Sequence, residues 1–381
     1  MRVYLAVFAD QVLRINAESE DHIQILKELE RDVDSGVSVK SLLTYFNFRL
    51  ITYVLSAVKD FLKKNNVPFT VMINNVQELL VREREEMVHN VEMERKTKSF
   101  SFAAYHDLET IYNFMDTLVA SHSNLISKVK IGSTYENCPM YVLKRKKTWI
   151  DAGIPAREWI SHATAVWLAD RVSEIVEKLY SENRAPVPSI LSQMDIYLMI
   201  VANPDGYVST HRSATSNPKC HGVDLNRNWD AEFGGPGASD DPCAEDHCGP
   251  SAQSENKVKN MAGFIMSHGN FKSFMTLHSY MHGTDAPDQP ELHDVATQAS
   301  KALNSWHGTV YKVGSIFHIL QASGASVDWT YLLGIKYSFA FELRDTGEYG
   351  FLLPADQIVS TARETWFALR YILKYVCDHP Y

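Results

Sequence analysis

The chain has 381 residues, 45% of them hydrophobic and 11% aromatic, which suffices for one large folded domain and a smaller one. Its formal net charge of −9 argues against a surface that binds nucleic acid. No apolar run approaches the ~20 residues that cross a bilayer, so we expect no membrane partner either. The apolar patch in MRVYLAVFADQ is shorter than the roughly 7–15 residues of a secretory signal, so it leaves export undecided.

Residues 1–90 predict a small α/β unit. QVLRINA and FTVMI are typical of strands, and HIQILKELE and the segment around Val58 are typical of helices. A charged helix is expected from Val76 to Met87, with the run REREE on its solvated face. ERKTKS, residues 94–99, follows in a polar context that we interpret as helix-poor. It predicts a basic linker that a protease can cut.

From Phe100 onward, predicted strands and helices alternate. The strands are VKIG, MYVLKR, TWIDAGI, DIYLMIVANPDG, SFMTLHS and IKYSFAFEL. Helices are expected over Ala163–Leu179, Lys257–His268 and Gln357–Cys377. Apolar strands separated by helices indicate an α/β domain with a largely parallel sheet covered on both faces.

Three of these strands end in polar side chains. Arg157 and Glu158 follow TWIDAGI, His278 follows SFMTL, and Glu342 follows YSFAF. Each has a structural explanation when taken singly, since Glu342 could pair with a nearby Arg and His278 could be a hydrogen-bonded core histidine. Their occurrence together favours a site, because ligands gather where the strands of α/β sheets end.

The five cysteines leave two interpretations open. Cys220 and Cys243 flank a Gly- and Asp-rich segment, and a disulfide closing it would stabilise the fold by about 3 kcal/mol. The alternative is five buried thiols in a reducing compartment, which spacing alone favours slightly.

Several longer blocks of the sequence identify a protein family more specifically than any single residue does. ESEDHIQILKELE and AVKDFL resemble the activation propeptide of the secreted zinc metallocarboxypeptidases of the carboxypeptidase A/B family. The rest of the chain resembles their peptidase domain, in the blocks AYHDLETIYNFMD, AREWISHATAVW, NPDGY, GVDLNRNWDAEFGGPGASDDPC, HGNFK, LHSY, QASGASVDW and IKYSFAFELRDTGEYGFLLPADQI. The likeness covers almost the whole length in the family's order.

The resemblance implies an architecture and a setting. A small α/β open-sandwich propeptide domain, 1–98 with its basic linker at 94–98, would precede the peptidase domain, 99–381. That domain would have a central mixed, largely parallel sheet with helices on both faces. The family is secreted, and a trypsin-like protease activates its zymogens. The expected partners are this protease and the C-termini of peptides or proteins, with the chain itself a monomer.

The resemblance also implies a zinc site. In the family two His and one Glu hold the ion, and Glu342 would be the general base toward a zinc-bound water. Of the three ligands, this sequence supplies Glu158 and His278, whereas the remaining His position is occupied by Pro155. Proline offers zinc no lone pair. Three other histidines could in principle replace the ligand, although none is expected to: His162, His211 and His282.

Substrate-binding positions are matched by Arg157, Asn226, Arg227, Tyr280 and Val327. Asn226 and Arg227 would bind the C-terminal carboxylate of the substrate, and Arg is the side chain that grips a carboxylate with two hydrogen bonds. The apolar Val327, at the floor of the specificity pocket, implies an A-type preference for aromatic or aliphatic C-terminal residues. Cys220 and Cys243 match the family disulfide, which favours their pairing against the interpretation from spacing alone, and Cys248 is expected to be unpaired.

Further departures compound the loss at Pro155. The stretch that carries the family's oxyanion-stabilising Arg is shortened, so that Arg212 matches a later Arg, and Leu320 stands where the family has a mobile Tyr. The segment after LHSY is shorter as well. Two hypotheses follow. The first is a carboxypeptidase A-like zymogen with impaired activity, and the second is an inactive pseudopeptidase that binds peptide C-termini through Asn226 and Arg227.

Overall fold

The structure is a computed structural model that describes residues 2–8, 11–26, 48–97, 99–144, 148–181, 196–209, 222–244, 246–269, 271–279, 289–314, 322–344, 349 and 353–381. The chain divides into two compact units, Met1–His89 and the larger Asn90–Asp345 with Phe351–Tyr381. In the described residues, no helix has the length and apolar character needed to cross a membrane.

Within the described residues, the smaller unit is a three-stranded antiparallel sheet with a helical segment over residues 20–26 and a longer helix. The strands β1 (Arg2–Phe8), β2 (Gln11–Ala17) and β3 (Phe69–Ile73) lie in the order β1-β2-β3. Leu13 and Ile15, two residues apart on β2, pack with Val58 and Leu62, four residues apart on helix α1 (Phe48–Lys64). This is the predicted open sandwich, with β1 as an additional strand.

Helix α2 (Val76–Thr97) corrects the prediction of a helix-poor linker. The helix continues through most of the basic segment at 94–98 because Met93, Glu94, Arg95 and Lys96 all have high helix propensity. At its end, the hydroxyl of Thr97 donates to the carbonyl of Met93 at 2.9 Å. Lys98 lies outside the described residues.

The larger unit is built on a six-stranded mixed sheet. Its strands are β4 (Ser127–Ser133), β5 (Pro139–Lys144), β6 (Thr148–Ala152), β7 (Ile196–Met199), β8 (Ser273–His278) and β9 (Tyr337–Glu342), in the order β4-β5-β7-β6-β8-β9. β4, β5 and β7 pair antiparallel, whereas β7, β6, β8 and β9 pair parallel. The expected mixed, largely parallel sheet is confirmed, and its central strands β6, β7 and β8 are buried along their whole length.

Helices cover both faces of this sheet, as predicted. They are α3 (Leu108–Ser121), α4 (Trp159–Ser181), α5 (Pro204–Ser209), α6 (Asn256–His268), α7 (Gln289–His307), α8 (Ser326–Leu332) and α9 (Ile358–Asp378). Trp149 and Phe274 of the sheet form one core with Met261 and Ile265 of α6. α9 packs against both α4 and α7. Because β6, β8 and β9 are neighbours that run parallel, their carboxyl ends lie at the same edge of the sheet.

Candidate active site

The turn after β6 delivers Glu158 to this edge. Gly153 has a φ of +72°, and a Cβ there would overlap the ring of His162, so this position requires glycine. The N–H of Glu158 donates to the carbonyl of Pro155 at 3.1 Å, which closes the turn before α4 begins at Trp159. The Glu158 side chain is buried as a result.

His278 and Glu342 arrive on neighbouring strands. They are register partners at the ends of the parallel pair β8–β9. His278 is only 3% exposed, and its Nε2 lies 2.9 Å from the hydroxyl of Thr276. That hydroxyl donates to Asp151 Oδ1 at 2.7 Å, so the Nε2–H of His278 donates to Thr276. The sequence alone does not identify Thr276 or Asp151 as site residues, because each lies within a strand that is buried along its whole length.

The other ring nitrogen of His278 faces Glu158, with Nδ1 lying 3.3 Å from Glu158 Oε2. Burial alone would lower the pKa of His278, but the hydrogen bond and charge of Glu158, with the charges of Glu342 and Asp151, raise it to about 9. Burial raises the pKa of the neighbouring Glu158 as well, against its contact with His278, so both side chains bind protons more readily than they do in water. Burial raises the pKa of Asp151 to about 6, against the hydrogen bond from Thr276.

These residues do not complete a zinc site. Zinc in a catalytic site takes three protein ligands and one water. Glu158 and His278 supply two, and Pro155 supplies none. In the part of the chain that the structure describes, no group of three or more His, Cys, Asp or Glu residues is arranged to hold a metal ion.

His162 does not supply the third zinc ligand. It is 1% exposed, its Nδ1 lies 3.1 Å from the backbone carbonyl of Glu158, and its ring centroid lies 4.4 Å from that of Tyr207. Burial lowers the pKa of His162 to about 4, so the ring is neutral. It is a core histidine. The other candidates, His211 and His282, lie outside the described residues, as do Arg212, Tyr280 and Leu320.

Asn226 and Arg227 lie in a short 3-10 turn, Leu225–Arg227, that Asp224 begins by accepting from the N–H of Asn226 at 3.0 Å. Arg227 is held by its Nε, which donates to the carbonyl of Gly237 at 2.8 Å, and by its Nη1, which donates to the carbonyl of Asn226 at 3.1 Å. Arg157, in contrast, is exposed at the turn beside Glu158.

The Asn226 turn is tied to the segment that carries Val327. Ser326 N–H donates to Asn226 Oδ1 at 3.0 Å, and Trp229 N–H donates to the carbonyl of Gly324 at 3.0 Å. Gly324 has a φ of +73°, and a Cβ there would overlap the backbone of Arg227. These hydrogen bonds hold the Asn226 turn against the segment that carries Val327, so these two predicted substrate-binding positions lie close together.

Val327 lines a cavity of about 330 Å³ that also borders on Glu342. The cavity continues past Val327 to the apolar side chains of α7 and α9, among them Leu292, Leu303 and Ile372. Such a volume is in the range of ligand pockets. The residue expected at the floor of a specificity pocket is therefore one of the side chains that line this cavity.

Among the cysteines, Cys138, Cys248 and Cys377 are free thiols, which confirms that Cys248 is unpaired. Cys220 lies outside the described residues, so its pairing with Cys243 stays a prediction.

Comparison with known proteins places this site in a family. The zinc carboxypeptidase family matches residues 111–368, and the carboxypeptidase activation peptide family matches residues 13–83. Carboxypeptidase A2 of Mus musculus is 47% identical over 401 positions, which cover 98% of this chain and 95% of the mouse protein. Carboxypeptidase A1 of Sus scrofa is 45% identical, with coverage of 97% and 94%. The chain belongs to the zinc carboxypeptidase family.

Solved structures agree with the family assignment. Thrombin activatable fibrinolysis inhibitor is similar with a TM-score of 0.81 and 32% identity, covering 97% of this chain and 99% of that protein. Carboxypeptidase A from Helicoverpa armigera, at 21% identity and a TM-score of 0.78, shows the likeness of fold alone. The match to the mouse protein spans 401 positions against the 381 residues of this chain, so the mouse protein has segments that this chain lacks.

Proposed function

We propose that this chain is an A-type carboxypeptidase zymogen that recognises apolar C-terminal residues and whose hydrolytic activity is impaired. The proposal is supported by the hydrogen-bonded turn that holds Asn226 and Arg227, together with Pro155 at a position where the resemblance expects a zinc ligand. Family membership supplies the reaction class, the removal of a C-terminal residue from a peptide.

Recognition of the carboxylate is assigned to Asn226 and Arg227. The Oδ1 of Asn226 already accepts from Ser326, which leaves its amide N–H groups to donate to a ligand. The contacts of Arg227 with Gly237 and Asn226 use Nε and Nη1, so Nη2 is the donor that would reach the carboxylate. Arg157 and Tyr280 are further proposed contacts.

Selectivity for apolar C-terminal residues is assigned to the cavity beside Val327. Its lining includes the small side chains of Ala231 and Ser323 near the recognition turn, and Leu292 of α7 farther in. The valine at position 327 is uncharged, so among the lining residues a Lys or Arg side chain would find carboxylates only at Glu232, Asp328 and Glu342. Aromatic and aliphatic side chains would gain from burial there instead.

Impairment is assigned first to the metal site. The family's chemistry depends on a zinc ion, which supplies an activated water and polarises the scissile carbonyl. With Glu158 and His278 alone, zinc affinity should fall on the order of 10³-fold or more. The absent oxyanion Arg would lower the rate by a further ~10²–10³-fold. Glu342 keeps the position of the general base, but without a complete metal site it has no activated water to deprotonate.

The remaining proposals concern the setting of the protein. They are secretion, a Cys220–Cys243 disulfide, a monomeric state, and activation by a trypsin-like protease within Arg95–Lys98, which divides the chain into 1–98 and 99–381. The activation peptide domain at residues 13–83 supports the zymogen interpretation.

A second function, an inactive protein that binds peptide C-termini, is favoured by the contact between Glu158 and His278. With Glu158 Oε2 and His278 Nδ1 3.3 Å apart, the two buried side chains face each other without a metal between them.

One experiment separates the two functions. The trypsin-treated protein is assayed for zinc content, for hydrolysis of an N-acyl dipeptide ending in Phe, and for calorimetric binding of a peptide ending in Phe and of its C-terminal amide. Binding of the acid but not the amide, with substoichiometric zinc and kcat/KM at least ~10³-fold below pig carboxypeptidase A1, is expected. Full activity would refute the impairment. Equal binding of acid and amide would refute the recognition site, and binding without any turnover would favour the second function.

A further inference from the structure

The C-terminal end of helix α2 is fixed by a side chain next to the proposed activation site. Glu94 Oε1 accepts from the backbone N–H of Ser101 at 2.6 Å. The same oxygen lies 3.7 Å from His106 Nε2, which in turn lies 2.7 Å from the carbonyl of Ser101. Glu94, Ser101 and His106 all belong to the larger unit. We call these three residues the Glu94 latch.

The latch rests on a rigid base. The side chains of His106 and Glu94 are only 4% and 14% exposed. The ring centroid of Phe100 lies 4.2 Å from that of His106 and 4.4 Å from that of Phe114 on helix α3. A charged hydrogen-bond acceptor in such a position holds its donor more firmly than a neutral one. The described residues 95–97 and 99–100 therefore lie between two hydrogen-bonded positions, Glu94 and Ser101.

The described basic residues between these two positions are exposed but helical. Arg95 and Lys96 form the last turn of α2 and project into solvent. A protease needs its target backbone extended and accessible, so a helical bond must first unwind locally before it is cut. Glu94 directly precedes Arg95, so unwinding this turn displaces Glu94 and breaks its hydrogen bond with the N–H of Ser101. A trypsin-like protease can thus recognise the exposed side chains of Arg95 and Lys96, while the helical backbone resists cleavage.

We propose that the Glu94 latch controls the rate at which the activation segment is removed, by keeping the last turn of α2 helical. This rests on the proposed function, in which cleavage within Arg95–Lys98 activates the protein, and it concerns the bonds after Arg95 and Lys96. Breaking the latch shifts the local equilibrium toward the unwound form, from which cleavage proceeds. When opening is fast relative to cleavage, the rate of cleavage follows the population of that open form.

The test compares the full chain with three variants. Glu94→Ala removes the acceptor, Glu94→Gln keeps an uncharged acceptor for the Ser101 N–H, and Glu92→Ala is the matched control, an exposed carboxylate on the same helix. Cleavage after Arg95 and Lys96 is followed by mass spectrometry at low trypsin concentration. Hydrogen exchange of the amides of residues 93–97 is measured on the uncut proteins. Exchange in α3 and α9 shows that each variant is folded.

Glu94→Ala should be cut about tenfold faster than the wild type, as expected for the loss of a hydrogen bond to a charged group. Its residues 93–97 should exchange faster by a similar factor, Glu92→Ala should match the wild type, and Glu94→Gln should fall between. Unchanged exchange at residues 93–97 in Glu94→Ala would overturn the latch. Faster exchange with cleavage elsewhere would uphold the latch and reject Arg95 and Lys96 as the activation site. That outcome contradicts the processing step of the proposed function instead.

Discussion

His278 Nδ1 and Glu158 Oε2 lie 3.3 Å apart, although 120 positions separate the two residues in the chain. In a tetrahedral zinc site with bonds of about 2.0–2.1 Å, two ligand atoms are about 3.3 Å apart. The two atoms therefore have the separation of one edge of such a site, and the turn at Gly153 on one side and Thr276 on the other hold them there. In the proposed function this pair supplies two of the three ligands, and Pro155 occupies the position of the third.

Arg227 is predicted to discriminate a free carboxylate from an amide. Arg227→Lys keeps the positive charge but loses the planar fork that Nε, Nη1 and Nη2 form, so it cannot hold Gly237 and a carboxylate together. Affinity for a peptide ending in Phe should fall about 10–100-fold. Affinity for its C-terminal amide should not change, and isothermal calorimetry measures both.

Arg363, exposed on helix α9, provides the matched control. Arg363→Lys should bind the acid peptide as the wild type does. If Arg227→Lys binds both peptides with unaltered affinity, the carboxylate is held elsewhere.

His162 should make the larger unit lose stability in acid. Its folded pKa of about 4 is below the ~6.5 of an unfolded His, so the unfolded chain binds more protons between these values. Stability from this residue is therefore complete above pH ~6.5 and is lost as the pH falls toward ~4, by on the order of 3 kcal/mol. His162→Gln removes the titration and retains an N–H donor for the carbonyl of Glu158.

Tryptophan fluorescence is a suitable probe, because all seven Trp residues lie in the larger unit. Urea transitions at pH 7 and pH 5 should differ less in His162→Gln than in the wild type. An equal difference in the two proteins would show that other groups cause the acid dependence.

Lys257 is predicted to be a sensitive position in the core of the larger unit. It is 1% exposed, and its Nζ lies 3.1 Å from Asp205 Oδ2. Lys257→Met leaves the buried carboxylate of Asp205 without its counter-ion, which should cost about 3–5 kcal/mol. Lys259→Met, two residues along the same helix and exposed, should cost less than about 0.5 kcal/mol.

Urea unfolding measured by tryptophan fluorescence gives both values. The double variant Lys257→Met with Asp205→Asn should recover part of the loss, because no buried charge is then left uncompensated. A loss below about 1 kcal/mol in Lys257→Met would mean that Asp205 takes up a proton or gains another partner.

The strand ends can be predicted from the sequence because these strands are short apolar runs that each end at a polar residue. SFMTLH and YSFAFE both stop at a polar residue, which locates His278 and Glu342 without knowledge of their register. Thr276 and Asp151 cannot be assigned in this way. A polar residue inside a buried strand is informative only when the partner on the neighbouring strand is known, and that pairing joins residues 125 positions apart.

The prediction that the segment at the end of α2 is helix-poor is wrong for a different reason. The basic composition of ERKTKS suggests a linker, whereas the propensities of Glu94, Arg95 and Lys96 favour a helix. The contact of Glu94 with Ser101 depends on how Phe100 and His106 pack on α3, and no local pattern encodes that packing. Local helix propensity therefore predicts the end of α2 better than basic composition does. The contact between Glu94 and Ser101 is seen only in the tertiary structure.

Replacing the missing ligand is the sharpest test of this site. Pro155→His should raise zinc content from substoichiometric to about one per chain, since the new imidazole joins a Glu158–His278 edge that already has a suitable spacing. Pro155→Ala is the control, because it removes the constraint of proline without adding a ligand. Metal analysis after dialysis measures the difference between the two variants.

Hydrolysis should nevertheless stay weak in Pro155→His. In the proposed function, zinc binding restores neither the oxyanion Arg nor the mobile Tyr, which the family resemblance places in a shortened stretch and at Leu320. The missing Arg alone leaves a deficit of about 3–4 kcal/mol at the transition state, so kcat/KM for a peptide ending in Phe should remain ~10²–10³-fold below that of pig carboxypeptidase A1. Activity equal to the pig enzyme would mean that another group stabilises the oxyanion. Failure of Pro155→His to bind zinc would mean that the turn from Gly153 to Glu158 holds position 155 away from the Glu158–His278 edge.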